Sequence, residues 1–187
     1  MAATYGRTSR IVVVLAGLLL ATGVNGTSVA RAADEEKNPL RVELLKLNSA
    51  TTEDIQNAKF RALLKDREKA KKLVAEAAKM MKEAKDDKPF NYNGTLILSR
   101  AAHVLKEYDV AEKFYEHQIE LATKVKNGKK IVEAYDGLIT LYSDAKRYAE
   151  AVETCEKVLD MAGPKEVVDE QPFILAQMIQ IKARTFA

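Results

Sequence analysis

The chain has 187 residues, of which 30 are lysine or arginine, 27 are aspartate or glutamate and 47% are hydrophobic. These values predict one helical domain of ordinary size with a short processing segment. Only eight glycines and four prolines are present, which disfavours a turn-rich β fold, and the sequence contains no glycine-rich phosphate-binding loop. Cys155 is the single cysteine, which excludes an intramolecular disulfide.

Residues 1–33 differ in kind from the rest of the chain. Two arginines precede the uncharged apolar run Ile11–Ala21, and the segment ends in the small-residue pattern Ala30-Arg-Ala32. This three-part pattern predicts a signal peptide cleaved near Ala32/Ala33, with export to the periplasm or the extracellular space. The run is shorter than the roughly 20 residues that span a bilayer. An uncleaved N-terminal membrane anchor is the alternative.

Removal of this segment changes the charge balance, because it carries Arg7, Arg10 and Arg31 but no acidic residue. The remaining chain has 27 basic and 27 acidic residues. A sequence-independent grip on nucleic acid needs a surplus of lysine and arginine. We therefore expect no nucleic-acid partner, and no membrane contact beyond the signal segment.

The first elements after the signal are short. Residues 34–50 form a polar leader in which Leu40, Leu44 and Leu47 recur at the spacing of a short capping helix. The segment Thr51–Asp54 resembles a capping box and opens the next helix. That helix has apolar residues on two faces, which predicts that neighbours cover both. The two faces are Ile55, Ala58 and Ala62, and Phe60, Leu63 and Leu64.

The later helices are separated by recognisable breaks. Pro89 ends a lysine-rich helix, and Asn127-Gly128 is predicted to end a later one, with Gly128 in the left-handed conformation. Gly163-Pro164 stops another helix. The last helix is predicted to begin at Gln171-Pro172, since proline is tolerated in the first turn.

One stretch of the sequence recurs after 40 residues, because Lys106–Glu116 aligns with Lys146–Glu156. A fainter copy lies upstream in Lys65–Ala75. Repetition at such a period indicates stacked helical units. The aligned positions are Ala70, Ala111 and Ala151, then Tyr108 and Tyr148, and, in the preceding helices, Leu98 and Leu138.

These positions resemble the tetratricopeptide repeat (TPR), a helix–turn–helix unit. The resemblance implies an all-α, right-handed α-solenoid of antiparallel helix pairs over residues 51–187. It implies about three repeats, over 51–88, 92–127 and 131–163, and a partial one over 166–187 that leaves an unpaired C-terminal helix. The chain departs from the motif in its period, which is usually about 34 residues, and in having Ser99 and Ile139 where the motif has glycine.

The resemblance also implies a function, because TPR proteins commonly bind a protein or peptide on the concave surface lined by first helices. The carboxylate clamp of some members is not supported, since the lysine and asparagine that it needs are absent at the matching positions. The surface runs from basic to acidic, which suits an extended peptide of mixed charge. Its predicted members are Asn93, Leu96, Arg100, His103, Glu133, Asp136, Thr140 and Ser143.

No residue pattern in the sequence predicts catalysis, a metal site or a cofactor. His103 is interpreted either as a groove contact or as an ordinary partly buried side chain, and His117 is expected among charges. Cys155 occupies a repeat position that is aromatic in the other copy, so we interpret it as core rather than as a nucleophile.

Two alternatives to a free-standing scaffold remain open at this stage. The chain could be the N-terminal repeat region of a longer exported protein, or it could self-associate as a homo-oligomer through residues 172–184. Both follow from the apolar residues of the last helix, which has no predicted partner helix. They are Phe173, Leu175, Met178, Ile179 and Ile181.

The helix-pair interpretation predicts the effect of enlarging a small repeat position. Replacement Ala151→Leu should lower the midpoint of thermal unfolding, because overpacking a close helix contact costs about 1–3 kcal/mol. Replacement Glu150→Leu, at the adjacent position, should leave the midpoint nearly unchanged. Equal shifts of the two variants in a thermal melt would contradict the helix-pair interpretation.

Overall fold

The structure is a computed structural model that describes residues 38–84, 88–161 and 163–185. Within these ranges the chain is all-helical and contains no strand, which confirms the all-α prediction. The signal-peptide prediction for residues 1–33 lies outside the described residues. The described elements are α1 (Pro39–Leu45) with a following 3-10 helix (Lys46–Ser49), α2 (Glu53–Leu64), α3 (Arg67–Glu83), α4 (Tyr92–Val104), α5 (Tyr108–Lys124), α6 (Gly128–Asp144), α7 (Tyr148–Leu159) and α8 (Lys165–Thr185).

Three consecutive helices, α4, α5 and α6, end in the same turn. Each turn has a lysine in the left-handed region, with φ of 63° at Lys106, 51° at Lys126 and 60° at Lys146. In the first turn the Lys106 N–H donates to the His103 carbonyl at 2.9 Å, and the next N–H donates to the Ala102 carbonyl at 2.9 Å. The other two turns repeat both bonds, so all three are Schellman motifs. Each leaves only three residues between helices, and successive helices therefore pack as hairpins.

Gly128 does not have the conformation expected of it. The left-handed residue is Lys126, while Gly128 is the first residue of α6 and no glycine among the described residues has a positive φ. A Cβ atom at Gly128 would lie 2.8 Å from the Pro164 Cβ atom and 2.6 Å from a Glu166 carboxylate oxygen. Glycine is needed there because the chain before α8 passes close to its backbone. Helix α6, which the sequence pattern placed from residue 131, begins at Gly128.

The core contains the small repeat positions. Ala70, Ala111 and Ala151 have no exposed surface, and Leu98 and Leu138 are buried as well. Tyr108 and Tyr148 are half-buried against the same cluster. A buried methyl group at the start of each second helix allows it to lie close to the helix before it.

The segment before α2 is docked on the helical units. Arg41 on α1 forms ion pairs with Glu76 at 2.6 Å and Glu83 at 2.8 Å, both on α3. The Asn48 amide donates to the Pro89 carbonyl at 2.8 Å and accepts from the Asn91 N–H at 3.0 Å. Helix α1 and the 3-10 helix after it thus connect α3 to the start of α4.

Helix α2 differs from its sequence prediction in two respects. Its cap is Thr52, whose hydroxyl accepts from the Ile55 N–H at 3.4 Å, rather than Thr51. It buries no residue fully, and Ile55 is 40% exposed, so the prediction that neighbours cover both faces was wrong. Only the face with Phe60, Leu63 and Leu64 packs against the core.

Helix α8 begins earlier than its sequence pattern predicted. It starts at Lys165, so that Pro172 lies inside the helix instead of in its first turn. Proline has no N–H to donate to the Val168 carbonyl, but burial of Val167, Ile174 and Ile181 holds the helix against α6 and α7 on both sides of this position.

The lysine turns make a test of the fold. A residue with a side chain in the left-handed conformation costs roughly 1–2 kcal/mol of stability. Glycine removes this strain but has a larger conformational entropy in the unfolded chain, so the net gain in stability is about 0.5–1 kcal/mol. Replacement Lys126→Gly should therefore raise the free energy of unfolding by about 0.5–1 kcal/mol in urea denaturation. The control Lys113→Gly, in the exposed interior of α5, should lower it by about 1 kcal/mol. A loss of stability in Lys126→Gly would show that the turn is not left-handed.

Candidate functional site

A cleft of about 500 Å³ lies between α4 and α6, with walls from both helices. Phe60 on α2 and Tyr115 on α5 complete its lining. Six of the eight residues predicted from the sequence line this cleft, namely Leu96, Arg100, His103, Glu133, Asp136 and Thr140.

The remaining two predicted residues lie beside the cleft. Asn93 is half-buried, and its side-chain oxygen accepts from the Gln56 amide at 3.3 Å. Ser143 lines a neighbouring cleft of about 290 Å³, which shares Thr140 with the first. Its hydroxyl accepts from Arg184 of α8 at 3.2 Å. The predicted surface therefore extends over two adjoining depressions rather than one.

The positive wall of the cleft is held in place by α2. The Arg100 guanidinium lies 4.7 Å above the centre of the Phe60 ring and donates to the Asn57 side-chain oxygen at 3.2 Å. The Arg100 guanidinium has further N–H donors that these contacts do not use. Because its side chain is already held in place, it loses little conformational entropy when it binds an acidic group. Phe60 and Asn57 had not been identified from the sequence as site residues.

The negative wall is held by hydrogen bonds from neighbouring helices. The Tyr92 hydroxyl lies 2.8 Å from a Glu133 carboxylate oxygen, and the Gln177 amide donates to Asp136 at 2.8 Å. Burial raises the pKa of Tyr92, and the Glu133 charge raises it further. The phenol therefore keeps its proton at neutral pH and remains the donor to Glu133.

Four side-chain contacts that join α4 to α6 or α6 to α8 share one sequence spacing. Tyr92 and Glu133, His103 and Asp144, Asp136 and Gln177, and Ser143 and Arg184 are each 41 residues apart. The first two pairs join α4 to α6, and the last two join α6 to α8. The same step along the chain thus relates each of these helices to the next.

The floor of the cleft depends on a close approach between α5 and α6. A Cβ atom at Gly137 would lie 2.9 Å from the Tyr115 Cζ atom and closer still to Cε1. Tyr115 is only 4% exposed, and burial raises the pKa of its phenol to about 12. The ring is therefore a neutral, fixed part of the cleft, and Gly137 provides the space for it.

A second cleft, of about 700 Å³, lies between α3 and α5 and contains His117. His117 shares this cleft with charged side chains, among them Lys82, Lys113 and Glu120, and is itself only 5% exposed. One ring nitrogen is 3.2 Å from the Phe90 carbonyl and the other 3.3 Å from Glu120. The spacing of Val110, Phe114 and His117 on one helical face was the signal that predicts its burial.

Among residues 38–84, 88–161 and 163–185, no group of three or more histidine, cysteine, aspartate or glutamate side chains is placed to hold a metal ion. In the same ranges no helix has the length and apolar character that crossing a membrane requires.

In comparisons with known proteins, no family model, curated protein or solved structure matches the chain. The cleft between α4 and α6 is therefore interpreted from its own side chains, which offer a fixed cation, fixed carboxylates and an apolar floor.

The close approach at Gly137 can be tested by a single methyl group. Replacement Gly137→Ala should lower the free energy of unfolding, because displacing the Tyr115 ring costs about 1–3 kcal/mol and the gain in helix propensity is at most about 1 kcal/mol. Gly163→Ala is the matched control, since a Cβ atom there meets nothing within 4 Å. A Gly137→Ala variant as stable as this control in urea denaturation would show that Tyr115 does not lie against Gly137.

Proposed function

We propose that the chain is a non-catalytic TPR-like scaffold that binds an extended segment of a partner protein in the cleft between α4 and α6. The observation that carries this proposal is the convergence of six residues, predicted from repeat position alone, on one cleft. The proposed site of action is outside the cytoplasm, after cleavage near Ala32/Ala33, because the N-terminal segment has the signal-peptide pattern.

The proposed architecture is a right-handed α-solenoid of about three TPR-like helix pairs followed by α8. It is supported by the 40-residue sequence period and by turns at Lys106, Lys126 and Lys146, spaced at half that period. The contacts His103–Asp144 and Ser143–Arg184 support it further, because they join corresponding positions, as expected when a stack of equivalent units reuses the same inter-unit contact.

The proposed ligand is an extended peptide of mixed charge. Its acidic side chain would pair with Arg100, and its basic side chain would lie toward Glu133 and Asp136 on the facing helix. An apolar side chain between them would contact Phe60 and Tyr115. A cleft of about 500 Å³ accommodates a few side chains. Because neighbouring residues already hold the charged groups, binding requires little reordering of the protein.

The state of Cys155 supports a role without nucleophilic chemistry. The side chain has no exposed surface, and burial raises the pKa of its thiol to about 11. A buried thiol with a raised pKa is a poor nucleophile, since the thiolate is the reactive form.

The binding proposal is tested by reversing one charge in the cleft. Peptides selected from a random display library on the full chain are expected to carry both acidic and basic residues. Replacement Arg100→Glu should weaken their binding by about 10- to 100-fold, because it removes a charge-assisted hydrogen bond of roughly 1.5–3 kcal/mol and adds repulsion. The measurement is fluorescence anisotropy of the labelled peptides.

The matched control is Lys129→Glu, which reverses a charge on an exposed residue of α6 that does not line the cleft. It should change affinity by less than about twofold, since screened surface charges interact weakly. Two results would contradict the proposal: an equal loss of peptide affinity in both variants, or unchanged binding to Arg100→Glu. Either would show that the selected peptides bind outside the cleft.

A further inference from the structure

The cleft between α3 and α5 has the size of a small-molecule site. Its volume is about 700 Å³, and such sites typically have about 300–1,000 Å³. Its apolar lining includes Ala78 and Met81 from α3 and Val110 from α5, and all three side chains are half-buried. Part of the surface of each is therefore open to the cleft and available to an apolar ligand.

Two buried rings give this cleft a fixed floor. The Phe114 ring packs edge to face on Phe90, with 6.4 Å between the ring centres. The Phe90 carbonyl lies 3.2 Å from one His117 ring nitrogen, and a Glu120 carboxylate oxygen lies 3.3 Å from the other. Both nitrogens are thus already engaged. A preformed floor whose polar atoms are paired favours an apolar group over a polar one.

The charged lining of the cleft is predominantly basic. It comprises Lys79, Lys82, Lys88, Lys113, Glu116 and Glu120. Two of these side chains are paired, since Lys79 lies 3.8 Å from Glu83 and Glu120 lies 2.8 Å from Lys124. Residues 85–87, which precede Lys88, lie outside the described residues, and the site is defined without them.

The unpaired charges of the lining give the cleft its sign. Lys82, Lys88, Lys113 and Glu116 form no ion pair with any other residue that the structure describes. These lysines come from α3, from the segment before α4 and from α5. Three ammonium groups therefore face one carboxylate. A cleft whose walls carry mainly one sign of charge concentrates the field inside it and attracts ligands of the opposite charge.

From this combination we propose that the cleft between α3 and α5 binds a small amphipathic anion, an apolar chain that ends in one acidic group, of the class of medium-chain carboxylic acids. The chain covers Met81 and Val110, and the acidic group pairs with Lys82 and Lys113 on the two walls. A single acidic group fits better than several, because a polyanion extending along α5 would meet Glu116. No residue lines both this cleft and the proposed peptide site.

Titration of the full chain with decanoate, followed in ¹H–¹⁵N NMR spectra, tests the proposal. The amide signals of residues 78–82 and 110–120 should shift and saturate, while those of residues 133–140 should stay in place. A ligand of this size is expected to have a dissociation constant of about 0.1–5 mM, so the titration extends to about 10 mM.

Two comparisons of ligands separate the apolar contribution from the ionic one. From hexanoate to decanoate the affinity should rise about two- to fourfold per added methylene group, since fourfold corresponds to complete burial of the group. Octan-1-ol has the chain length of octanoate but no charge. It should bind at least about fivefold more weakly than octanoate, because it cannot form a charge-assisted contact with the lysines.

Substitutions test the named side chains. The double variant Lys82→Gln/Lys113→Gln should weaken decanoate binding by about 10- to 30-fold, since two partly exposed charge-assisted contacts are lost. Glu116→Gln should instead strengthen binding by about twofold, because a like charge is removed. The matched control is Lys72→Gln/Lys129→Gln, which removes two exposed charges outside the cleft and should change affinity by less than about twofold.

Three results would overturn the proposal: no saturable shift at residues 78–82 and 110–120, equal affinity for octan-1-ol and octanoate, or an equal effect of the two double variants. Glutamine has nearly the helix propensity of lysine, so these variants should fold like the unchanged protein. The selected peptides should bind Lys82→Gln/Lys113→Gln with unchanged affinity, so a failure at this cleft leaves the test of the cleft between α4 and α6 intact.

Discussion

The turn that ends α4, α5 and α6 is the constraint on which the positions of the later helices depend. In each turn a lysine takes the left-handed conformation and two backbone N–H groups bond back to the helix just completed. The turn stops the helix and reverses the chain within three residues. Because Lys106 and Lys146 are 40 residues apart, α4 and α6 end at corresponding points. A strained residue is tolerated here since the helix packing determines the turn from both sides.

The cleft between α4 and α6 follows from this spacing. Nearly equivalent points on the two helices face each other, since the side-chain contacts Tyr92–Glu133 and His103–Asp144 each join residues 41 apart. Each charged group in the cleft is held by a residue from another helix, as Arg100 is by Phe60 and Asp136 by Gln177. A surface whose charged groups are held in this way suits the proposed binding of a peptide without rearrangement of the protein.

Helix α8 takes part in the cleft as well as in the core. Gln177 on one side of it orients Asp136 in the cleft, while Ile174 on another side is buried. The core also contains an unpaired polar side chain. Gln118 is fully buried, and neither of its amide atoms has a hydrogen-bond partner among the described residues. A buried unpaired amide destabilises a domain by about 1–3 kcal/mol. The fold therefore relies on its tightly packed small positions, such as Ala111 and Ala151.

The sequence by itself determined what is local and periodic: the helical class, the 40-residue recurrence, the small residues at 111 and 151, and six of the residues that line the cleft. These features can be recognised from the sequence because the repeated segments can be aligned with each other. Only the tertiary structure decided the features that depend on distant parts of the chain. Gly128 is needed because Pro164 and Glu166 pass close to it, and Pro172 stays inside α8 because side chains on both sides of it are buried. Helical spacing predicts that His117 is buried, but its hydrogen-bond partner, the Phe90 carbonyl 27 residues away, was decided by the tertiary structure.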